Sequence, residues 1–151
     1  MRAARGDIKF CARFSSHHYI DKYGMTRAVE QAIKSGLRRL EPDRKTTQVL
    51  LDGLLKAPRH FIQQTIIGGD DNVAIISLAS IVAKVRRDRL MRRLGREFPG
   101  YGFEIHKGYP TPRHYAAIEE LGLCDIHRRR YCKWAIDEEV DKEIDHSVAR
   151  V

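Results

Sequence analysis

Two short runs of β-forming residues each stop at an acidic, glycine-bearing turn, and a long helical pattern follows the second; few folds accommodate that order. Thr46 to Leu51 ends at Asp52-Gly53, and Phe61 to Ile67 ends at Gly68-Gly69-Asp70-Asp71. Gly-Asp and Asp-Gly pairs are turn signals because glycine tolerates positive φ and aspartate bonds its own local backbone. From Val73 to Phe98, Ala74, Ser77, Leu78, Ile81, Val82 and Val85 recur at helical spacing, and Leu90, Leu94 and Phe98 continue the stripe. Strand, strand, long helix predicts an α/β fold. If the two strands run parallel, Asp52 and Asp70 come to neighbouring strand ends. The connection of about nine residues is short for a helical crossover, which argues against direct parallel pairing and leaves open that both flank another strand.

Elsewhere the pattern is simpler. Ile8 to Phe14 alternates Ile8, Phe10, Ala12 and Phe14 with Lys9, Cys11 and Arg13, which predicts a half-buried strand. Met25, Val29, Ala32, Ile33, Leu37 and Leu40 form the apolar face of a helix that Pro42 closes. Thr111-Pro112 reads as the cap and first turn of a short helix reaching Leu121. The loop from Tyr101 to Pro112 is broken by glycine and proline, and the tail from Glu138 is charged and expected to fray.

A chain of 151 residues supports one domain with a core of its own. Its 28 Lys and Arg against 20 Asp and Glu give a net charge of +8, which favours an anionic partner. Cys11, Cys124 and Cys132 form no close pair, so a disulfide framework is not expected. Cys124, His127 and Cys132 match no standard zinc spacing and read as ordinary packing. No apolar run is long enough to span a bilayer and no apolar signal core opens the chain, so the expected address is the cytoplasm.

Metal-assisted phosphodiester cleavage needs hard oxygen ligands held rigidly, and Asp52 and Asp70 stand where strand ends would hold them. The alternative for each is a solvated turn residue, and Asp71 reads as a helix cap. Among the cations, Lys84 and Arg87 are one helical turn apart. His106, Lys107 and Tyr109 combine phosphate-contacting groups with a ring that can stack on a sugar or base, and His127, Arg128 and Arg129 repeat that mixture. His17 and His18 read as surface.

Several of these segments, in this order, resemble bacterial ribonuclease HII. They are Leu51-Asp52-Gly53, Gly69-Asp70, the stretch from Ser77 to Arg89, Pro99-Gly100-Tyr101-Gly102-Phe103, His106-Lys107-Gly108-Tyr109-Pro110-Thr111 and Ile126-His127-Arg128-Arg129. Ile20 to Met25 is similar to the family's lead into its first long helix. The resemblance covers roughly residues 10 to 135, the C-terminal two thirds of the family pattern.

The resemblance implies an RNase H-like fold, with a catalytic part over residues 1–122 and a basic, helical extension over residues 123–151. It implies an endonuclease that hydrolyses the RNA strand of RNA-DNA hybrids and nicks 5′ to ribonucleotides in duplex DNA. It further implies Mg²⁺ or Mn²⁺ held by four carboxylates, two of which fall on Asp52 and Asp70, a sugar-stacking tyrosine at Tyr109, and a monomeric intact enzyme. The family's opening Asp-Glu-Ala-Gly-Arg-Gly motif has no counterpart here, Arg5-Gly6-Asp7 being the nearest string. An N-terminally truncated or degenerate relative is therefore expected, with little activity alone, a sheet edge open to self-association, and a non-catalytic nucleic-acid-binding protein as the alternative.

Overall fold

The computed structural model describes residues 8–135, and their contacts divide the chain into two compact units. One comprises Met1–Ser16 with Tyr23–Lys84, the other His17–Lys22 with Val85–Val151.

In the first unit, residues 8–16 have no regular structure, and the expected strand is absent. Ile8 and Phe10 are 73% and 69% exposed, so the alternation of this segment buries no face; a period of two makes a strand only where a partner supplies the ladder. The Ser15 hydroxyl donates to Ala28 O at 2.9 Å. Gly24, at φ 84°, opens helix α2, Met25–Leu40, which follows a first helix α1, His17–Tyr23. Helix α2 ends as expected, with Glu41 in the left-handed region donating its N–H to Leu37 O.

Strands β1, Gln48–Asp52, and β2, Ile62–Ile66, pair in parallel, with Asp52 opposite Ile66. The short connection proves no obstacle. Nine extended residues reach roughly 30 Å, and a five-residue strand needs only about 16 Å of return. Gln63 secures this return by accepting the Ala57 N–H (2.9 Å) and donating to the Ala57 carbonyl (3.2 Å). Leu51, Ala57, Phe61 and Ile76 are buried here, while Ile62, Ile67 and Leu54 remain 61%, 85% and 87% exposed. After β2, Gly68 at φ 64° opens a one-turn helix α3, Gly69–Asn72, and helix α4, Ala74–Glu97, follows; the unit boundary falls within α4.

The second unit is built on a core of Tyr101, Phe103 and Ala117, flanked by Met91, Leu94, Phe98, Cys124 and Ile126. The rings of Tyr101 and Phe103 stack at 5.3 Å. Within the glycine-rich loop lies a turn of helix that its composition concealed, α5, Phe103–His106. Helix α6, Pro112–Leu121, starts as predicted, with Thr111 Oγ1 accepting the His114 N–H. It buries His114, Ala117 and Ile118, which share one face by their spacing. A 3₁₀ turn, Arg129–Tyr131, is capped by Asp21 of α1, whose two oxygens accept the N–H groups of Arg129 (2.9 Å) and Arg130 (3.2 Å). The tail from Glu138 lies outside the described residues. Among the described residues, no helix is long and apolar enough to cross a membrane.

Candidate acidic strand end and basic tyrosine loop

Asp52 terminates β1, half-buried, and its Oδ1 accepts the Gly69 N–H at 2.9 Å. Gly53, at φ 59°, closes the strand end with an N–H donated to Ile66 O. A Cβ at position 69 would stand 2.7 Å from Ile76 Cδ1, the end of a side chain that would have to shift, and 3.5 Å from Asp52 Oδ1. The backbone N–H of residue 69 thus ties the start of α3 to the Asp52 carboxylate. Asp70 follows Gly69 directly and is exposed, as is Asp71. The two aspartates therefore emerge from backbone linked by one hydrogen bond and one peptide unit. Their hard oxygens suit Mg²⁺ or Mn²⁺ in kind. They do not suffice in number, for among the described residues no group of three or more His, Cys, Asp or Glu converges where it could hold a metal.

In the second unit the expected nucleic-acid residues separate into two sets. Tyr109 is 59% exposed. The Arg87 guanidinium lies over its ring, 5.1 Å from the centroid, and donates from Nη2 to Lys107 O at 3.0 Å. Arg87 thus braces the loop as well as charging it. Lys107 adopts φ 54° and donates from Nζ to Glu104 O. Arg128 packs over the Tyr131 ring at 5.0 Å, and Arg129 is exposed, as is Lys84 in the first unit.

His106 and His127, expected as nucleic-acid contacts, are instead interior, 7% and 6% exposed, and His114 joins them at 8%. Aromatic packing explains their position: the His106 and His114 rings stack at 4.3 Å, His114 and His127 at 5.4 Å, and Phe103 contacts all three. Both nitrogens of each ring have partners. Tyr101 O lies 2.6 Å from His106 Nε2, and Gly108 N–H donates to His106 Nδ1 at 3.1 Å. His114 Nδ1 faces Tyr109 O at 3.0 Å, its Nε2 faces His127 Nε2 at 3.2 Å, and His127 Nδ1 accepts the Cys124 N–H at 3.0 Å. Burial, with a neighbouring imidazole, pushes His127 down to about 4; burial likewise lowers His114 and raises the Cys124 thiol. Sequence reasoning missed His114 altogether, although its place three and four residues before Ala117 and Ile118 marks it as part of the buried face.

A parallel strand pair followed by a long helix, with Asp52 at the end of β1 and Asp70 in the one-turn helix after β2 rather than at the expected strand end, sets the chain in the α/β class of RNase H-like proteins. The family model of ribonuclease HII matches residues 4–134, and the chain belongs to that family. It is 42% identical over 119 residues to the ribonuclease HII of Geobacter metallireducens, an alignment covering 78% of this chain and 54% of that protein. It is 47% identical over 113 residues to that of Maricaulis maris, covering 74% and 51%. With the Geobacillus thermodenitrificans protein the identity is 43% over 112 residues, covering 74% and 42%. The chain spans about half the length of the curated relatives it matches.

Proposed function

We propose that this chain acts in ribonuclease H type cleavage, hydrolysing the RNA strand of RNA-DNA hybrids and nicking duplex DNA on the 5′ side of an embedded ribonucleotide. Family membership supports the reaction class. The observation that carries the reading to residues is the bond from Gly69 N–H to Asp52 Oδ1, which draws the turn bearing Asp70 onto the end of β1.

Asp52 and Asp70 would hold Mg²⁺ or Mn²⁺. Such ions would supply an activated water and charge stabilisation at the leaving O3′, a chemistry that would leave 3′-hydroxyl and 5′-phosphate ends. The chain's own residues supply recognition. Tyr109 offers its exposed ring to the sugar at the RNA-DNA junction, where the 2′-hydroxyl distinguishes RNA from DNA. Lys84, Arg87, Lys107, Arg128 and Arg129 supply positive charge to the phosphate backbone. The cytoplasm is the matching address.

The test is cleavage of a DNA duplex carrying one ribonucleotide, with Mg²⁺ or Mn²⁺, by this chain and by its Asp70→Asn form. Weak metal-dependent nicking on the 5′ side is expected, reduced at least about tenfold by the substitution. Equal rates in both forms remove the metal role from Asp70. Salt-sensitive binding with no nick under either metal favours a non-catalytic nucleic-acid-binding protein.

A further inference from the structure

Tyr109 is exposed, yet the backbone beneath it is held from inside on both sides. His106 Nδ1 accepts the Gly108 N–H, and His114 Nδ1 stands 3.0 Å from the Tyr109 carbonyl. The donors and acceptors along this chain admit one assignment. A carbonyl only accepts, so His114 carries its proton on Nδ1, and in the neutral ring Nε2 is then an acceptor. His127 Nε2, 3.2 Å away, must therefore be the donor. That leaves His127 Nδ1 to accept, and the Cys124 N–H is there to donate at 3.0 Å, with the thiol sulfur 3.1 Å from the same nitrogen. The Cys124 carbonyl, 3.3 Å from that nitrogen, could take a proton only in the opposite tautomer, which would set two lone pairs against each other between the rings. His106 is fixed independently, since Tyr101 O requires Nε2–H and Gly108 N–H requires Nδ1 as acceptor.

We infer that His106, His114 and His127 are positioning residues. Three stacked imidazoles in one fixed tautomer set relay backbone constraints from Tyr101 and Cys124 to the Gly108-Tyr109 peptide, and so fix the ring of Tyr109 as a platform for the sugar of a ribonucleotide in duplex DNA. The left-handed Lys107 and Gly108, at φ 54° and 74°, form the sharp turn that this clamp holds. Arg87 closes it from α4 by binding Lys107 O and lying over the tyrosine ring. The ligand part of the inference rests on the function proposed above; the hydrogen-bond relay does not.

Two experiments separate them. In the ¹⁵N-labelled chain at pH 7, long-range ¹H–¹⁵N spectra should find His114 protonated at Nδ1 and His127 at Nε2, both neutral. A charged or reversed His114 or His127 overturns the relay, and this measurement needs no variant to fold. The second compares anisotropy-measured affinity for a fluorescent DNA duplex with one ribonucleotide and for the all-DNA duplex, in chelator. Tyr109→Ala should erase the preference for the ribonucleotide, and His114→Gln should weaken it about tenfold. His114→Asn, whose amide nitrogen falls near the place of Nδ1, should retain it within about threefold. Loss in Tyr109→Ala together with full retention in folded His114→Gln overturns the positioning role. No effect of Tyr109→Ala on either duplex overturns the ligand reading and leaves the relay to be decided by the spectra.

Discussion

The candidate carboxylates and the buried imidazoles stand in opposite surroundings. Asp52 is half-buried at the end of β1 and Asp70 is exposed in α3, whereas the imidazoles of His114 and His127 are sealed and must stay neutral to keep their bonds. An unfolded imidazole titrates near 6.5, and folded His127 is pushed down to about 4. Between these values the unfolded chain binds more protons than the folded one, so stability rises with pH across that window. The contribution is complete above the unfolded value and falls away as pH drops toward 4, by up to roughly 3 kcal/mol. Urea midpoints between pH 7.5 and 4.5 should fall accordingly, and His127→Gln should flatten the profile; an equally steep profile in the variant would assign the loss elsewhere. The turns that carry Asp52 and Asp70 were legible because Asp-Gly and Gly-Asp are backbone signals that work locally. The histidines were misread because His106-Lys107 and His127-Arg128-Arg129-Arg130 look alike as charge runs, and burial depends on Tyr101 and Phe103, which the local sequence does not tie to them.

At the scale of elements, the sequence carried whatever had its stabilising pattern within one segment. The Thr111 cap, the span of α4, the stop of α2 and both strands are local, and each formed within a residue or two of its expected place, whereas the expected stripe of α4 leaves Leu78, Ile81 and Val85 exposed and Ile76 is buried instead. The segment 8–14 had the right alternation with no ladder to join, and α5 sat among glycines and a proline that read as loop. Helix α1 was hidden similarly, because His17-His18 looked like punctuation, and its purpose emerges only through a contact about a hundred residues away. Asp21 on α1 caps the turn Arg129–Tyr131 with both oxygens. Replacing Asp21 by Ala should cost about 1–3 kcal/mol, since bonds to a charged acceptor exceed neutral ones. Amide exchange at Arg129 and Arg130 should quicken selectively, which a merely global loss of stability would not produce.

For the whole molecule, the relevant comparison is with relatives of whose length this chain spans about half. Among the described residues β1 and β2 form a sheet of two strands, each with an edge that no described strand pairs, and Ile62, Ile67 and Leu54 are exposed. Unprotected edges with apolar neighbours recruit other strands. Sedimentation velocity across a concentration series should therefore detect self-association, weakened by Ile62→Lys; a concentration-independent monomer would mean that these edges are covered. The same incompleteness appears in the acidic turn. Asp52 Oδ1 already accepts the Gly69 N–H, and two aspartates could offer at most four oxygens to the six positions of the shell that magnesium demands. The rest of any such shell falls to solvent, to a phosphate of the nucleic acid or to a second polypeptide, so cation affinity of this chain should depend on what else is bound.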